Sequence, residues 1–477
     1  MRYIFILFFL GLCMPNLMAQ DSLSSELNKT YSAIDLKSDL HFIRQKAEFK
    51  NYRNNGFLFC GKKRFNQLAD SIQQVIGEKK EMTVKDFYLL TQPLVSLLED
   101  EDSYYGLKGD YAYQKGETKK FAEKIVVPLN TFIYNDTVRT FDSPEIPLHA
   151  QLLTIEGIPV IDMAKRINFM LFSDTKRYYP KSSIMRFSLY WHYPEIYALY
   201  NFTDSVLVSY IPIGAEDPVN KYIQLAQPGD TYYTDRIGPI LTRLDLFHLY
   251  FLDNTAVLRI DRQRSSDFSL DSLNAIFTRI KNQNAKNLVI DLSSCSYSTR
   301  TLWTAILPYL YDGEAELFTF HDGPDDVMKY AKKKTRKSKS VSGTYSRKMD
   351  DIRFKGDIYL YFHTGTQELA VNFADILIHN KIAKATYGQE TGTRPDQYIY
   401  STKYYLPVTG LCLYLSTTLM RSLDGELHRE GIKPDFTLPW HPLEVRTENY
   451  YRHNRLYIQE VVNHINNNTF SYENSSD

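Results

Sequence analysis

Apolar positions recur every three or four residues in the N-terminal part of the chain, where they predict helices. The clearest runs are DLHFIRQKAEF, RFNQLADSIQQVI and VKDFYLLTQPLVSLL, all between Leu36 and Leu98. Thr83 precedes the third run and Asp86 stands three residues later, which matches a helix capping box with aspartate in place of the usual glutamate. The pattern therefore predicts a helical region before residue 100.

The pattern changes to the short apolar runs of strands from about Lys120 to Ile213. Within it, QLLTIEGIPVIDMAKRI predicts a strand, a tight turn at Glu156-Gly157 and a helix from Val160. The 37 tyrosines of the chain also favour strands. Prolines and glycines between residues 225 and 249 then indicate a domain boundary.

The second half of the chain alternates buried strands with amphipathic helices. AVLRIDRQ and NLVIDLSS predict strands, and SLDSLNAIFTRIKNQ and TLWTAILPYLY predict helices. Further on, Ile358 to Phe362 predicts a strand, Glu368 to Asn380 a helix with Glu368 in its first turn, and Ala385 to Gly388 another strand. A long hairpin should follow. Because strand–helix–strand units cross over in parallel, residues 289–292 and 358–362 are expected to be neighbours in one mostly parallel sheet, with the 368–380 helix packed on it.

The first residues, MRYIFILFFLGLCMPNLMAQ, predict a secretory signal peptide cleaved after Ala19. The apolar run is too short to span a bilayer, and we expect no membrane span elsewhere. Lipidation at Cys13 is the alternative. Export to a bacterial periplasm or cell envelope is the expected localisation.

Charge and cysteine content narrow the function. The chain has 56 basic and 56 acidic residues, and a net charge of zero argues against a nucleic-acid partner. After Cys13, only Cys60, Cys295 and Cys412 remain, so at most one disulfide can form, and their spacing matches no zinc site. Cys412, in the strand LCLYL, is predicted to be buried and outside any disulfide. Seven basic residues in the eleven of 329–339 predict a solvated loop, or else a patch for anionic partners or a lid.

The ending DGELHREGIKPDF resembles the close of the catalytic domain in the tail-specific (C-terminal-processing) serine peptidases, in their tricorn-like branch. The matching residues are Asp424, Gly425, Gly431, Ile432, Pro434 and Asp435, and GQET at 388–391 resembles the family's Gly-x-x-Thr loop. The resemblance implies an α/β fold with a crotonase-like (ClpP/crotonase) peptidase core, an N-terminal helical part and a PDZ-like β-rich insert. The implied domains are a signal peptide (1–19), a helical region (20–119), a PDZ-like domain (120–240), the peptidase-like α/β domain (241–440), and a C-terminal helix and tail (441–477).

The resemblance fails at the residues that carry the chemistry. It places Glu368 at the position of the acylating serine, and Thr366 is the nearest hydroxyl. In the loop LLEDEDSYYG it places Asp100 on the family's aspartate and Asp102 on the histidine base. Arg394 takes the place of the lysine base of the processing-protease branch, and an arginine, being always protonated, cannot act as a base.

The oxyanion turn is also different. The family has a glycine-rich turn that brings backbone donors close to the substrate, whereas here SSCSY follows Asp291 without a glycine. The resulting hypothesis is a secreted, catalytically inactive relative that binds a peptide or protein, without metal or cofactor. The candidate residues of its ligand cleft are Asp100, Asp102, Ser103, Ser293, Ser294, Glu368 and Thr391.

Two alternatives stay open at this point. The first is an active serine-type endopeptidase with a non-standard site, for which His363 and Ser416 could form a new dyad. The second is a different enzyme in which Asp100, Asp102 and Glu368 converge, to divide acid and base roles or to hold a calcium or magnesium ion.

Overall fold

The computed structural model describes residues 27–50, 57–99, 104–106, 127–134, 137–142, 145–170, 185–188, 200, 202, 204–225, 246–261, 269–293, 295, 300–313, 315–321, 340–343, 351–438 and 450–467. The chain divides into two compact units. The first unit comprises Met1–Lys176, Met185–Gly238 and Tyr400–Thr417. The second comprises Arg177–Ile184, Pro239–Ile399 and Thr418–Asp477.

Three helices begin the first unit, as predicted. They are α1 (Ala33–Lys50), α2 (Lys62–Glu78) and α3 (Val84–Ser96), with strands β1 (Thr30–Ser32) and β2 (Glu81–Thr83) paired antiparallel beside them. Thr83 caps α3, because its hydroxyl oxygen accepts the N–H of Asp86 at 3.0 Å and its hydroxyl donates to the Asp86 carboxylate at 2.8 Å. The predicted capping box is thus confirmed.

The helices of the first unit pack on a distant turn of the same unit. Asp39 of α1 is fully buried, and its carboxylate accepts the N–H groups of Val408 and Thr409 at 2.9 and 2.8 Å. Leu406 and Leu411, on either side of this turn, belong to the same apolar core as the helices. Burying a carboxylate is costly unless it is hydrogen-bonded, so these contacts define where the turn docks.

The rest of the first unit is dominated by an antiparallel sheet. Its strands are β4 (Asn130–Tyr134), β5 (Thr137–Asp142), β6 (Gln151–Ile155), β7 (Ile158–Pro159), β8 (Met185–Ser188), β9 (Ser205–Ile211) and β10 (Val219–Gln224), with α4 (Val160–Met170) after β7. The strand order is β10–β9–β6–β5–β4–β8, and β7 also pairs with β6. Glu156 and Gly157 connect β6 to β7 with φ angles of 51° and 74°. Positive φ at both positions is the geometry of a tight hairpin turn, so the predicted strand, turn and helix are confirmed.

A six-stranded sheet forms the centre of the second unit. Its strands are β11 (Phe247–Leu252), β12 (Thr255–Ile260), β13 (Asn287–Asp291), β16 (Asp357–Phe362), β17 (Ala385–Gly388) and β20 (Phe436–Thr437). They lie in the order β11–β12–β13–β16–β17–β20, antiparallel between β11 and β12 and parallel elsewhere. The helices are α5 (Leu270–Asn282), α6 (Arg300–Leu310), α7 (Leu369–His379) and α8 (Tyr450–Asn467). Val289 of β13 lies opposite Tyr359 of β16, which confirms the predicted pairing.

Both faces of this sheet are buried. On one face, Leu258, Ile290 and Leu360 pack with α5, α6 and α7, where the rings of Trp303 and Phe373 stack at 4.2 Å. On the other face, the alternate strand residues pack against α8. Burial on two sides explains why these strands read as continuous apolar runs in the sequence.

The predicted long hairpin consists of β18 (Gln397–Tyr405) and β19 (Cys412–Arg421), and the chain passes between the two units within these strands. In the first unit, β19 pairs with β3 (Tyr104–Gly106). In the second unit, β19 pairs with β14 (Ala315–His321), which also pairs with β15 (Ser340–Gly343).

Cys60, Cys295 and Cys412 are all buried thiols, which confirms the prediction for Cys412. Within the described ranges, none of the helices has the length and apolar character needed to cross a membrane. The predicted signal peptide, Cys13 and the basic stretch 329–339 lie outside the described residues. The domain boundaries stay a prediction.

Candidate active-site frame

Three loops of the second unit meet at the carboxyl ends of β13, β16 and β17. The hydroxyl of Thr366, after β16, donates to the carbonyl of Leu292, after β13, at 2.8 Å. The N–H of Gln367 donates to the carbonyl of Cys295 at 3.1 Å, and the N–H of Gly392 donates to that of Thr366 at 2.7 Å. This edge of a parallel sheet is where α/β proteins bind their ligands.

Two glycines of the loop after β17 allow close backbone approach. A Cβ on Gly388, which has φ 118°, would lie 2.0 Å from the carbonyl oxygen of Phe362. A Cβ on Gly392 would lie 2.1 Å from the carbonyl oxygen of Thr364. These glycines are therefore required for packing the β17 loop against the β16 loop.

The closing motif of the chain binds to this same loop. Thr391 and Ile432 exchange two hydrogen bonds, one from the Thr391 N–H at 3.0 Å and one from the Ile432 N–H to the Thr391 hydroxyl at 2.8 Å. The carboxylate of Asp435 accepts both the N–H and the hydroxyl of Thr386 at 2.9 Å. The carboxylate of Glu390 accepts the Gly431 N–H at 2.8 Å, and burial raises the pKa of Glu390. The two motifs that carry the family resemblance thus hold each other.

Glu368 occupies the N-cap position, directly before the first residue of α7, whereas the sequence pattern predicted it in the first turn of the helix. Its backbone has φ 51° and ψ −134°, which a residue with a side chain rarely adopts, and its side chain makes no capping hydrogen bond to α7. Such conformations cost about 1–3 kcal/mol and persist only when the surroundings impose them. A side chain at this position therefore starts from a strained, fixed backbone.

The backbone of Glu368 is held on both sides. Its N–H donates to the hydroxyl of Thr393 at 2.8 Å, and its carbonyl accepts from the Gln397 side chain at 2.7 Å and from the Val371 N–H at 3.0 Å. Thr393 and Gln397 are both buried. These two residues impose the strain, and sequence reasoning missed them because such contacts leave no local pattern.

The N-terminus of α7 creates a positive electrostatic potential next to residue 368. The first N–H groups of a helix have no intrahelical acceptors, and together with the helix dipole they favour negative charge. A neutral nucleophile here could exploit that field when an oxyanion forms. A half-buried glutamate supplies a side-chain carboxylate at the same position.

Arg394 is fully buried, and its Nε donates to the carbonyl of Asp396 at 2.9 Å. Asp396 is buried too, and its carboxylate forms an ion pair with Arg421 and accepts the His428 N–H at 2.6 Å. Because a buried charge needs such partners, we interpret this group as part of the support of the 421–428 segment. No sequence pattern predicted Asp396.

The turn after β13 is anchored by Asp291. Its carboxylate accepts the Ser293 N–H at 2.9 Å, and the N–H of Cys295 donates to the carbonyl of Leu292 at 2.9 Å. Burial raises the pKa of Asp291, although the Arg259 guanidinium on the neighbouring strand and the hydrogen bonds from Ser293 act in the opposite direction. A buried acid thus positions Ser293 at the start of the segment after β13.

The predicted site residues divide into two groups. Ser293, Glu368, Thr391 and Arg394 all lie in the second unit at the frame just described, where Ser293 and Thr391 are buried. The other four, Asp100, Asp102, Ser103 and Ser294, lie outside the described residues, so a convergence of acids on Glu368 stays a prediction. Within the described ranges, no group of three or more His, Cys, Asp or Glu side chains could hold a metal ion.

The alternative dyad of His363 and Ser416 draws on different units, since His363 belongs to the second and Ser416 to the first. Nδ1 of His363 accepts the N–H of Gly365 at 2.7 Å. In the neutral imidazole this places the proton on Nε2. The imidazole therefore already serves to hold the loop after β16.

Comparison with solved structures identifies the fold, whereas comparison by sequence assigns no family. No family model matches the chain, and no curated protein matches it. A serine-to-alanine mutant of CPAF matches with a TM-score of 0.63 at 13% identity, over 91% of this chain and 98% of that chain. Mature CPAF matches with a TM-score of 0.57 at 14% identity, over the same shares. The photosystem II D1 C-terminal processing protease matches with a TM-score of 0.41 at 13% identity, over 79% of this chain and 88% of that chain. The chain thus shares the fold of CPAF over 91% of its own length.

Proposed function

We propose that the protein is an exported, catalytically inactive relative of the tail-specific peptidases that acts by binding a peptide or protein segment. The observation that supports this most is Glu368, which stands at the start of α7 in a strained backbone conformation. By the family resemblance, this is the position of the acylating serine. The frame of the site is kept while the group at its centre is a carboxylate.

A carboxylate at this position opposes acyl transfer. The tetrahedral intermediate carries a negative oxygen, and two unit charges about 4 Å apart repel by about 4 kcal/mol at an effective dielectric constant of about 20. A repulsion of that size slows a reaction by roughly a thousandfold. Glu368 therefore disfavours the charge that a serine peptidase must stabilise.

By the family resemblance, the lysine base is also replaced. The resemblance puts Arg394 at the lysine position, and its guanidinium is buried and bonded to the backbone carbonyl of Asp396. An arginine cannot accept a proton at any relevant pH. A hydroxyl placed at residue 368 would still lack the base that makes it a nucleophile.

Binding, by contrast, needs only the frame. Strained residues are retained where the surroundings over-determine them, which is typical of ligand sites. The loops around Glu368 stay locked by the Thr391–Ile432 and Thr386–Asp435 hydrogen bonds. We expect a preorganised frame of this kind to take an extended peptide, the ligand class that the family resemblance implies.

Two measurements test the proposal. A fluorophosphonate probe should leave the mature protein unlabelled, beside a labelled serine protease as positive control. Peptides from digested casein should be retained on immobilised wild-type protein and on Asp271→Arg, an exposed charge reversal in the same unit, but at least tenfold less on Glu368→Arg. Probe labelling at a serine would establish the active endopeptidase instead, and absence of any retained peptide would refute the binding role.

A further inference from the structure

The hairpin of β9 and β10 concentrates exposed apolar side chains. Ile213 is 60% exposed in the connection between the strands, and Val219 and Tyr222 of β10 are 41% and 66% exposed. They are three of the seven exposed large hydrophobic residues among those described. The edge of this hairpin thus exposes apolar side chains on both faces of the sheet.

Strand β10 is also the last strand of that sheet, since none of the described strands pairs with its outer edge. Ile223 faces the core opposite Val206, whereas Tyr222 lies on the other face opposite Leu207. The outward-facing half of the β10 backbone groups is a template for another strand.

Natural edge strands are usually protected by bulges, by internal prolines, by lysines or by a covering segment. The β9–β10 register runs through six consecutive pairs without a shift, and Pro218 precedes the strand. Lys221 is the single charge in VNKYIQ, and its Nζ is bonded to the Glu145 carbonyl at 3.0 Å and to the Glu145 carboxylate at 3.2 Å. The one lysine of the edge is therefore neutralised by its own unit.

We propose that β10 pairs antiparallel with β10 of a second copy of this chain, giving a two-fold dimer through a continuous sheet. A two-fold axis at Tyr222 places the two Tyr222 side chains opposite each other and pairs Asn220 with Gln224 on the same face. On the inner face it pairs the exposed Val219 with Leu225 and Lys221 with Ile223. No like charges oppose each other, and aromatic and apolar cross-strand pairs stabilise sheets.

Self-pairing fits this edge better than a foreign partner does. An edge that selects a charged segment needs a charge of opposite sign, and β10 offers only an internally neutralised lysine. Closed two-fold dimers, moreover, use one patch on both subunits, so a single self-complementary strand suffices. The inference concerns the first unit alone and does not depend on the proposed function.

Cysteine cross-linking tests the pairing directly. Opposed residues of an antiparallel pair have Cα atoms about 4.5–5.5 Å apart, which is within disulfide range. Under mild oxidation, Tyr222→Cys should give a covalent dimer, whereas Tyr405→Cys, a 47% exposed tyrosine of the same unit, should not. The native cysteines of the described chain are buried and should not interfere.

Analytical ultracentrifugation supplies the second readout. Wild-type protein should show a concentration-dependent dimer, and Tyr222→Lys, which opposes two lysines, should weaken it at least tenfold with an unchanged circular dichroism spectrum. A monomer at all concentrations without a cross-link would overturn the proposal, as would a dimer that Tyr222→Lys leaves intact. A monomer whose β10 amides gain hydrogen-exchange protection only on adding casein peptides would identify the edge as a peptide site and refute the second copy.

Discussion

Glu368→Gly should stabilise the protein, because glycine adopts the backbone conformation of residue 368 without strain. The native angles of φ 51° and ψ −134° cost a residue with a Cβ about 1–3 kcal/mol. Against this gain, a glycine lowers the free energy of unfolding by about 0.4–1 kcal/mol, because it gives the unfolded chain more conformational freedom. The difference of these two ranges runs from about 0 to about 2.6 kcal/mol, so the net expectation is a gain of roughly 1 kcal/mol.

The matched control is Glu368→Ala, which removes the carboxylate but keeps the Cβ and hence the strain. We therefore compare Gly with Ala, so that loss of the side chain cancels between the variants. Thermal unfolding of the second unit should show Gly melting higher by about 2–4 °C for each kcal/mol, as expected for a unit of this size. A Gly variant that melts at or below the Ala variant would refute the idea that residue 368 is strained.

Three further predictions concern the site residue Glu368, the buried acid Asp291 and the buried acid Asp39 of the first unit. Glu368→Ser, alone or with Asp102→His, should give at most trace hydrolysis of casein, since the glycine turn is still replaced by SSCSY and a lost oxyanion donor costs about 3 kcal/mol. Casein cleavage by wild type that a serine-directed inhibitor blocks would contradict the inactive reading. Asp291→Asn should gain stability relative to wild type as the pH rises above about 4. Burial raises the pKa of Asp291 in the folded protein, so the wild type loses stability as the pH rises from the unfolded pKa of about 4 to the folded pKa, whereas asparagine does not titrate. Denaturation at pH 4, 6 and 8 checks this, and a pH-independent difference would argue against it. Asp39→Ala should destabilise the first unit by roughly 2–4 kcal/mol, because three donors of Val408 and Thr409 lose their acceptor. Asp35→Ala, at an exposed site of the same helix, serves as the control in the same denaturation assay. Equal losses of stability in the two variants would exclude a special role of Asp39 in holding the turn.

Local patterns predicted most of the elements and their order. The helices of residues 33–96, the turn at Glu156-Gly157 and the parallel neighbours β13 and β16 all follow from periodicity, turn chemistry and the crossover rule. Each of these depends on residues close in sequence or on the composition of one strand. Such signals survive in a single chain without any aligned relative.

The contacts that shape the site could not be predicted in this way. Asp39 binds a turn 370 residues further along the chain, and the strain at Glu368 is imposed by Thr393 and Gln397. The burial of Arg394 likewise follows from packing rather than from composition, since arginines are mostly exposed. A polar residue has no periodic pattern that identifies its partner, so only the folded structure reveals these pairs.

Under the proposed function, the chain keeps this fold without peptidase chemistry, and the contacts of the motif residues explain how the fold is kept. Thr391 bonds to Ile432 and Asp435 bonds to Thr386, while Gly388 and Gly392 allow two loops to touch. None of these contacts involves the side chain of residue 368, at the centre of the site. The motif residues join β17 to β20 at the rim of the sheet, and removing them would leave buried groups without partners. Selection for folding alone is therefore sufficient to retain them, and their presence indicates the architecture rather than the reaction. The activity of such a chain has to be argued from the side chain at the start of α7, and here that side chain is a glutamate.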